Sequence, residues 1–230
     1  MAGPIYEPGG KAAEYGEWAL NIYTGCPHRC YYCFAPNVLH RTKEDFHSHV
    51  EPKKNIIGKV RTQLDKDTTL RGKLVHLCFT CDPYPTGYDT STTREIIKLL
   101  KEYGNHVQIL TKGDGSRDFD LLDENDWYGI TLDGVSADTY RARLDSLSEA
   151  HIQGINTWVS FEPVTDERNF FIELHLVSRI ANRVKIGKLN YHPSDIDWKA
   201  FGEKTETLCQ KLGLDYYIKE SLREEMEKGK

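Results

Sequence analysis

Gly25-Cys26-Pro27-His28-Arg29-Cys30-Tyr31-Tyr32-Cys33 places three cysteines at C-x3-C-x2-C spacing directly behind the apolar run that starts at Trp18. Iron–sulfur cubes are normally held by four cysteine thiolates, so three on one short loop leave one iron open to a ligand from elsewhere. An open coordination position signals chemistry rather than a structural staple. Gly25 and Pro27 shape a turn that neither a helix nor a strand would make, and the two short intervals let one loop wrap a [4Fe–4S] cube. Two plainer readings stand beside this one: a structural zinc with His28 or His40 as fourth ligand, and three ordinary core thiols. Structural zinc usually brings a second paired knuckle downstream, whereas Cys78, Cys81 and Cys209 read as scattered thiols.

Outward from the cysteines, the hydrophobic period switches repeatedly between two and 3.6. Strand candidates are Trp18 to Thr24, Leu74 to Thr80, Val107 to Thr111, Tyr128 to Leu132, Ile155 to Phe161 and Arg183 to Lys188, with Tyr216 to Ile218 as a final addition. Between them lie helical patterns: one holding Ile56, Val60 and Leu64, and one that begins near Thr92 with the capping box Thr92-Thr93-Arg94-Glu95 and stops at Gly104. A short one lies around Phe119 to Leu122, a longer one carries Tyr140, Leu144 and Leu147, another runs from Phe170 to Ile180, and the last is Trp198 to Leu212, ended by Gly213. Six strand–helix repeats predict an α/β fold, an open partial (β/α)6 TIM-like barrel with a parallel sheet and outer helices. Residues 1–16, rich in Gly, Pro and Tyr, read as an extended N-terminal arm packed on a single domain, 17–230.

In such folds chemistry gathers at the carboxyl ends of the strands. The expected tips carry Cys26, Thr80-Cys81-Asp82, Thr111-Lys112, Thr131-Leu132-Asp133, Glu162 and Lys188 to Asn190. Glu162 serves equally well as a rim ion pair for Arg168 or Lys188, and any single tip residue is by default a solvated loop group. Alternation along the second strand would turn Cys78 to the face opposite its neighbours, as a small buried hydrophobe.

With 39% hydrophobic and 28% charged residues, the 230-residue chain has ordinary globular composition. It shows neither a membrane-span run nor a signal-peptide pattern, which implies no membrane and a reducing cytoplasmic compartment. A net charge of −5 disfavours a generally basic nucleic-acid surface. The basic segment Arg61, Lys66, Arg71 and Lys73 is interleaved with Asp65 and Asp67 and reads as a solvated face.

The C-x3-C-x-Tyr-C pattern, with Tyr32 before the last cysteine, resembles the signature of the radical S-adenosylmethionine (radical SAM) enzymes. The resemblance implies a three-cysteine [4Fe–4S] cluster, S-adenosylmethionine on its open iron, reductive cleavage to a 5′-deoxyadenosyl radical, and an electron donor such as flavodoxin or ferredoxin. Within those enzymes the chain is more similar to the spore photoproduct lyase-like (DNA repair photolyase-like) group. That likeness rests on Asn21 to Cys26, Thr80-Cys81-Asp82-Pro83-Tyr84, Ile109 to Lys112, Ile130 to Asp133 and Ser160-Phe161-Glu162-Pro163-Val164.

Carried over by position, the resemblance places Tyr32 near the adenine, and Cys81 and Asp82, with Thr80 beside them, at the methionyl amino end. Lys112 would pair with the carboxylate, and Thr131 with the ribose or carboxylate; Cys81, Tyr84 and Glu162 are the candidates for contact with substrate. Two departures bear on the substrate, which is otherwise unidentified. The spore lyases relay a hydrogen atom through a tyrosine and a cysteine, and the corresponding positions here are Phe34 and Phe79. Radical chemistry on another substrate is therefore the first reading, lesion repair in DNA the second, and a non-catalytic metal-binding module the third.

Overall fold

A computed structural model describes residues 3–134 and 137–228. Among the described residues, eight strands, β1 to β8, succeed one another along the chain with helices in between, an α/β fold. The chain forms two compact units, Met1–Trp127 and Tyr128–Lys230.

In the first unit, β1 (Ile5–Tyr6) pairs antiparallel with β2 (Trp18–Leu20), and β2, β3 (Leu74–Leu77) and β4 (His106–Thr111) are parallel neighbours. The expected N-terminal arm thus supplies an edge strand; its first two residues lie outside the described ones. The Gln63 side chain clasps β1, donating to the Ile5 carbonyl and accepting from its N–H at 2.8 Å each. Helices α3 (Ile56–Lys66) and α4 (Ser91–Glu102) bury Val60, Leu64, Ile96, Ile97 and Leu100 completely, as the 3.6 period requires. The basic segment is spent locally. Arg61 forms a two-pronged pair with Glu102, and Arg71 holds the carbonyls of Leu64, Asp67 and Leu70 beneath the Tyr103 ring.

Three expectations for this unit are corrected. First, β2 and β3 stop at Leu20 and Leu77: Cys78 N–H still reaches the Leu20 carbonyl at 2.8 Å, but the N–H groups of Phe79 and Thr80 turn to Asn21 Oδ1 at 2.8 and 2.9 Å. Second, α4 starts at Ser91, one residue from the expected place, but without the capping box. Its N-cap is Thr90, and Asp89 accepts from the Ser91 N–H and hydroxyl, while Thr93 is buried with its hydroxyl on the Pro83 carbonyl. Third, two short helices, α1 (Ala35–Val38) and α2 (Lys43–Ser48), follow the cysteines without any apolar period long enough to announce them.

In the second unit, β6 (Asn156–Val164), β7 (Arg183–Lys188) and β8 (Asp215–Ile218) are parallel neighbours, and β5 (Trp127–Thr131) precedes them. Its helices are α5 (Ala137–Ile152), α6 (Glu167–Val177), α7 (Trp198–Leu212) and α8 (Glu220–Glu227), the last unforeseen. Phe161, Phe170 and Phe201 meet edge to face at 4.9 Å, each buried aromatic contributing roughly 1.5–3 kcal/mol. The ends of α7 are locally encoded. Asp197 accepts from the Lys199 and Ala200 N–H groups, and Gly213 takes the left-handed conformation at φ +66° that ends the helix. None of the described helices is long and apolar enough to cross a membrane.

Candidate active site

A six-residue helix such as α2 leaves its last carbonyls without intrahelical partners. The cysteine loop supplies the partners. Cys26 N–H donates to the Phe46 carbonyl at 3.3 Å, His47 Nδ1 lies 2.7 Å from the Cys26 carbonyl, and Arg41 reaches from the Asp45 carboxylate to the Thr24 carbonyl, each at 2.5 Å. A bridge between Tyr23 and Pro52 and a bond from Thr24 N–H to the Glu51 carbonyl close the excursion. At Arg29 the loop turns through φ +49°, and the guanidinium grips Glu44 of α2 at 3.0 and 3.2 Å. Gly25 lies so close to α2 that a Cβ there would stand 2.2 Å from the Phe46 carbonyl oxygen.

Cys26, Cys30 and Cys33 are free thiols, each partly buried. Burial pushes the Cys26 thiol well above its ordinary value, with the Asp82 charge adding to it, and burial also raises Cys33. A cation that takes these sulfurs must therefore displace protons. Among the described residues, the one cysteine, histidine and carboxylate group whose ligand atoms all lie within 4.8 Å is His106, Asp123 and Asp126, where Lys101 already bridges both carboxylates. Three soft thiol donors on one short loop form a donor set that fits a [4Fe–4S] cube keeping one iron open.

Asp82 ties this loop to the strand ends. Its carboxylate, 7% exposed, accepts from Tyr84 N–H at 2.8 Å, the Thr111 hydroxyl at 2.5 Å and Lys112 N–H at 2.8 Å, and lies 3.3 Å from His28 Nδ1. Burial raises the Asp82 pKa, but the His28 contact and the bonds from Thr111 and Lys112 outweigh it, so the carboxyl is held below its ordinary value. A depressed carboxyl contributes stability that is present above its unfolded pKa of about 3.9 and is lost as pH falls through the folded value. Asp82→Asn is therefore expected to lower the melting temperature at pH 7 and to flatten its decline below pH 4. Melting curves at both pH values check this, and an unchanged pH dependence would remove Asp82 from that role.

The Lys112 ammonium donates to Cys30 Sγ at 3.1 Å and to the Tyr32 hydroxyl, 4.8 Å from the centre of the Tyr32 ring. Three of the resemblance-derived positions, Tyr32, Asp82 and Lys112, thus converge with the cysteines. Thr80 is half-buried, its N–H on Asn21. Tyr84 is 2% exposed and gives its hydroxyl to Asp118 at 3.1 Å, so the phenol is engaged in the interior. Phe79 stacks on His76 at 4.2 Å, and Phe34 is exposed.

The reading of Cys78 and Cys81 as scattered thiols, with Cys78 turned away by strand alternation, is corrected. β3 has already ended, Cys78 adopts φ +72°, and its buried thiol hydrogen-bonds to Cys81, whose sulfur also accepts from Tyr23 N–H at 3.4 Å. The C-x2-C spacing of this pair was the visible signal. Asn21 and His28 stood out in the sequence only as a motif residue and a candidate zinc ligand; their roles at the strand end and at the Asp82 carboxylate had no signal there, because their partners lie more than fifty positions away.

In the second unit, Thr131 is buried and its carbonyl accepts from Arg143, itself 3.9 Å from Asp133. Glu162 pairs neither with Arg168 nor with Lys188. Its partner is Lys219, 1% exposed, at 2.7 Å, and Lys188 pairs with Glu225 instead. The register Ile186↔Ile218 explains the exchange, since it brings the residue after β8 beside Gly187, whose missing side chain makes room for the Glu162 carboxylate.

The sequence model of the Radical SAM superfamily matches residues 20–161. A comparison with curated protein sequences gave no match. Among solved structures, SuiB of Streptococcus suis bound to S-adenosylmethionine aligns with a TM-score of 0.62 at 11% identity, covering 87% of this chain and 50% of that one. SuiB bound to precursor peptide SuiA aligns with a TM-score of 0.63 at 11% identity, over 87% and 48% of the two chains. The chain thus spans about half the length of these structures, and at this identity the likeness is one of fold.

Proposed function

The chain belongs to the radical SAM superfamily, and on that premise we propose that Cys26, Cys30 and Cys33 hold one [4Fe–4S] cluster on which S-adenosylmethionine is cleaved reductively. When bound, this pair supplies a 5′-deoxyadenosyl radical that takes a hydrogen atom from substrate. The observation that carries the reading is the loop itself: three free thiols on a backbone clamped by α2 and tied through His28 to the buried Asp82. Asp82 sets the backbone of Lys112, and Lys112 and Tyr32 present an ammonium and an aromatic face that suit the carboxylate and the adenine of the cofactor. Thr80 and Cys81 lie in the segment leading to Asp82. A low-potential donor of the flavodoxin or ferredoxin type would supply the electron.

The test is anaerobic reconstitution with iron and sulfide, followed by S-adenosylmethionine and dithionite. Methionine and 5′-deoxyadenosine should appear. A zinc-loaded, colourless protein that leaves the cofactor intact would establish a metal-binding module instead.

Within the superfamily, the motifs shared with the spore photoproduct lyase-like group support a related radical reaction on a different substrate. Phe34 and Phe79 can donate no hydrogen atom as a phenol or thiol would, and Phe79 is held in a stack with His76. An oligonucleotide bearing the lesion should therefore be left unrepaired over many turnovers; restoration of thymines would reinstate DNA repair and point to Cys81 as the donor. A peptide is the next class to offer, since SuiB was solved with one.

A further inference from the structure

Resting on the cluster reading above, we infer that Lys112 is a positioning residue of the cluster itself, raising its reduction potential through a hydrogen bond to Cys30 before S-adenosylmethionine arrives. The resemblance gives Lys112 a different duty, pairing with the cofactor's carboxylate. The geometry points to the sulfur. Lys112 follows the last residue of β4, and its backbone is held on both sides: its N–H is on Asp82 at 2.8 Å, and at Gly113 a Cβ would stand 1.9 Å from the Tyr84 carbonyl oxygen. From that anchor the stem carries the ammonium to Cys30 Sγ at 3.1 Å, with the Tyr32 hydroxyl as second acceptor and the Tyr32 ring beneath it. Lys43, by contrast, spends its ammonium on the Tyr31 carbonyl at 3.2 Å.

Reduction adds one negative charge to a cluster. An N–H···S bond from an ammonium, in a half-buried site of low effective dielectric, favours the more negative state; charge and hydrogen bonds to sulfur are among the terms that set such potentials. S-adenosylmethionine would then find its carboxylate competing with Cys30 for one ammonium, so cofactor binding and cluster potential become coupled, and coupling of this kind is reciprocal.

The experiment compares wild type with Lys112→Met, Lys112→Gln and Lys112→Arg, each reconstituted anaerobically and titrated potentiometrically with electron paramagnetic resonance detection, in the absence of S-adenosylmethionine. Lys112→Met is expected to lower the equilibrium constant for one-electron reduction by about tenfold, which is 59 mV. Lys112→Gln, which keeps a donor but no charge, should fall between, and Lys112→Arg should stay near wild type. Iron and sulfide content is measured first. A wild type that takes up no cluster would overturn the cluster reading and this inference together. Full clusters in all four proteins with coincident potentials would overturn this inference alone, and weaker cofactor binding in the same Lys112→Met protein would then return the ammonium to the carboxylate. If Lys112→Met loses its cluster, the Gln and Arg variants carry the comparison.

Discussion

Cys30→Ala is expected to strip the chain of most of its iron and to abolish cleavage of S-adenosylmethionine. A cluster normally held by four thiolates would have three here, and the substitution would leave it two. The loss should exceed the roughly 10–100-fold penalty typical of removing an outer-layer partner of a metal ligand. Substitution from nearby is blocked. Cys78, a buried thiol of this unit, lies against Cys81 and its N–H is fixed on the Leu20 carbonyl at 2.8 Å. Cys26→Ala and Cys33→Ala should behave alike, whereas Cys209→Ala, a buried thiol on α7, should leave iron content unchanged. Iron and sulfide assays with the 5′-deoxyadenosine yield read all four variants. Full iron retention in Cys30→Ala would sink the ligand assignment.

Gly25→Ala should do nearly as much damage while leaving every thiol in place. The added methyl would stand 2.2 Å from the Phe46 carbonyl oxygen and 2.5 Å from that of His49, and both are backbone atoms that no rotamer change can move. Either α2 or the loop must shift, at a cost of about 1–3 kcal/mol or more. The bonds between Cys26 and α2 break with the shift, so the sulfurs lose their spacing. Iron content should fall below half of wild type and the melting temperature should drop by several degrees. Gly9→Ala is the control, because nothing lies within 4 Å of its would-be Cβ. Normal iron and normal melting in Gly25→Ala would mean that the clamp does not govern the loop.

Where the sequence was read well, the information was local. β7, the cysteine spacing and both ends of α7 depend on residues a few positions apart: Asp197 meets N–H groups two and three residues on, and Gly213 follows its helix directly. The capping box read at Thr92 misled for the same reason: its four residues fit a local rule, yet the helix starts one residue earlier, and the Thr93 hydroxyl is taken by the Pro83 carbonyl, ten positions back. The helices after the cysteines escaped because six residues are too few to show a period; α2 is held by the loop it clamps.

By itself, the chain's order of residues determined that three thiolates share one loop, that strands and helices alternate, and that polar groups stand behind each strand. Only the tertiary structure decided which groups meet. Asp82 finds His28, Thr111 and Lys112 across 54, 29 and 30 positions, Lys112 finds Cys30 across 82, and Glu162 finds Lys219 across 57. A buried charge must be met by whichever partner the strand register brings beside it, and the register is set by the packing of whole strands and helices rather than by any pattern near the charge.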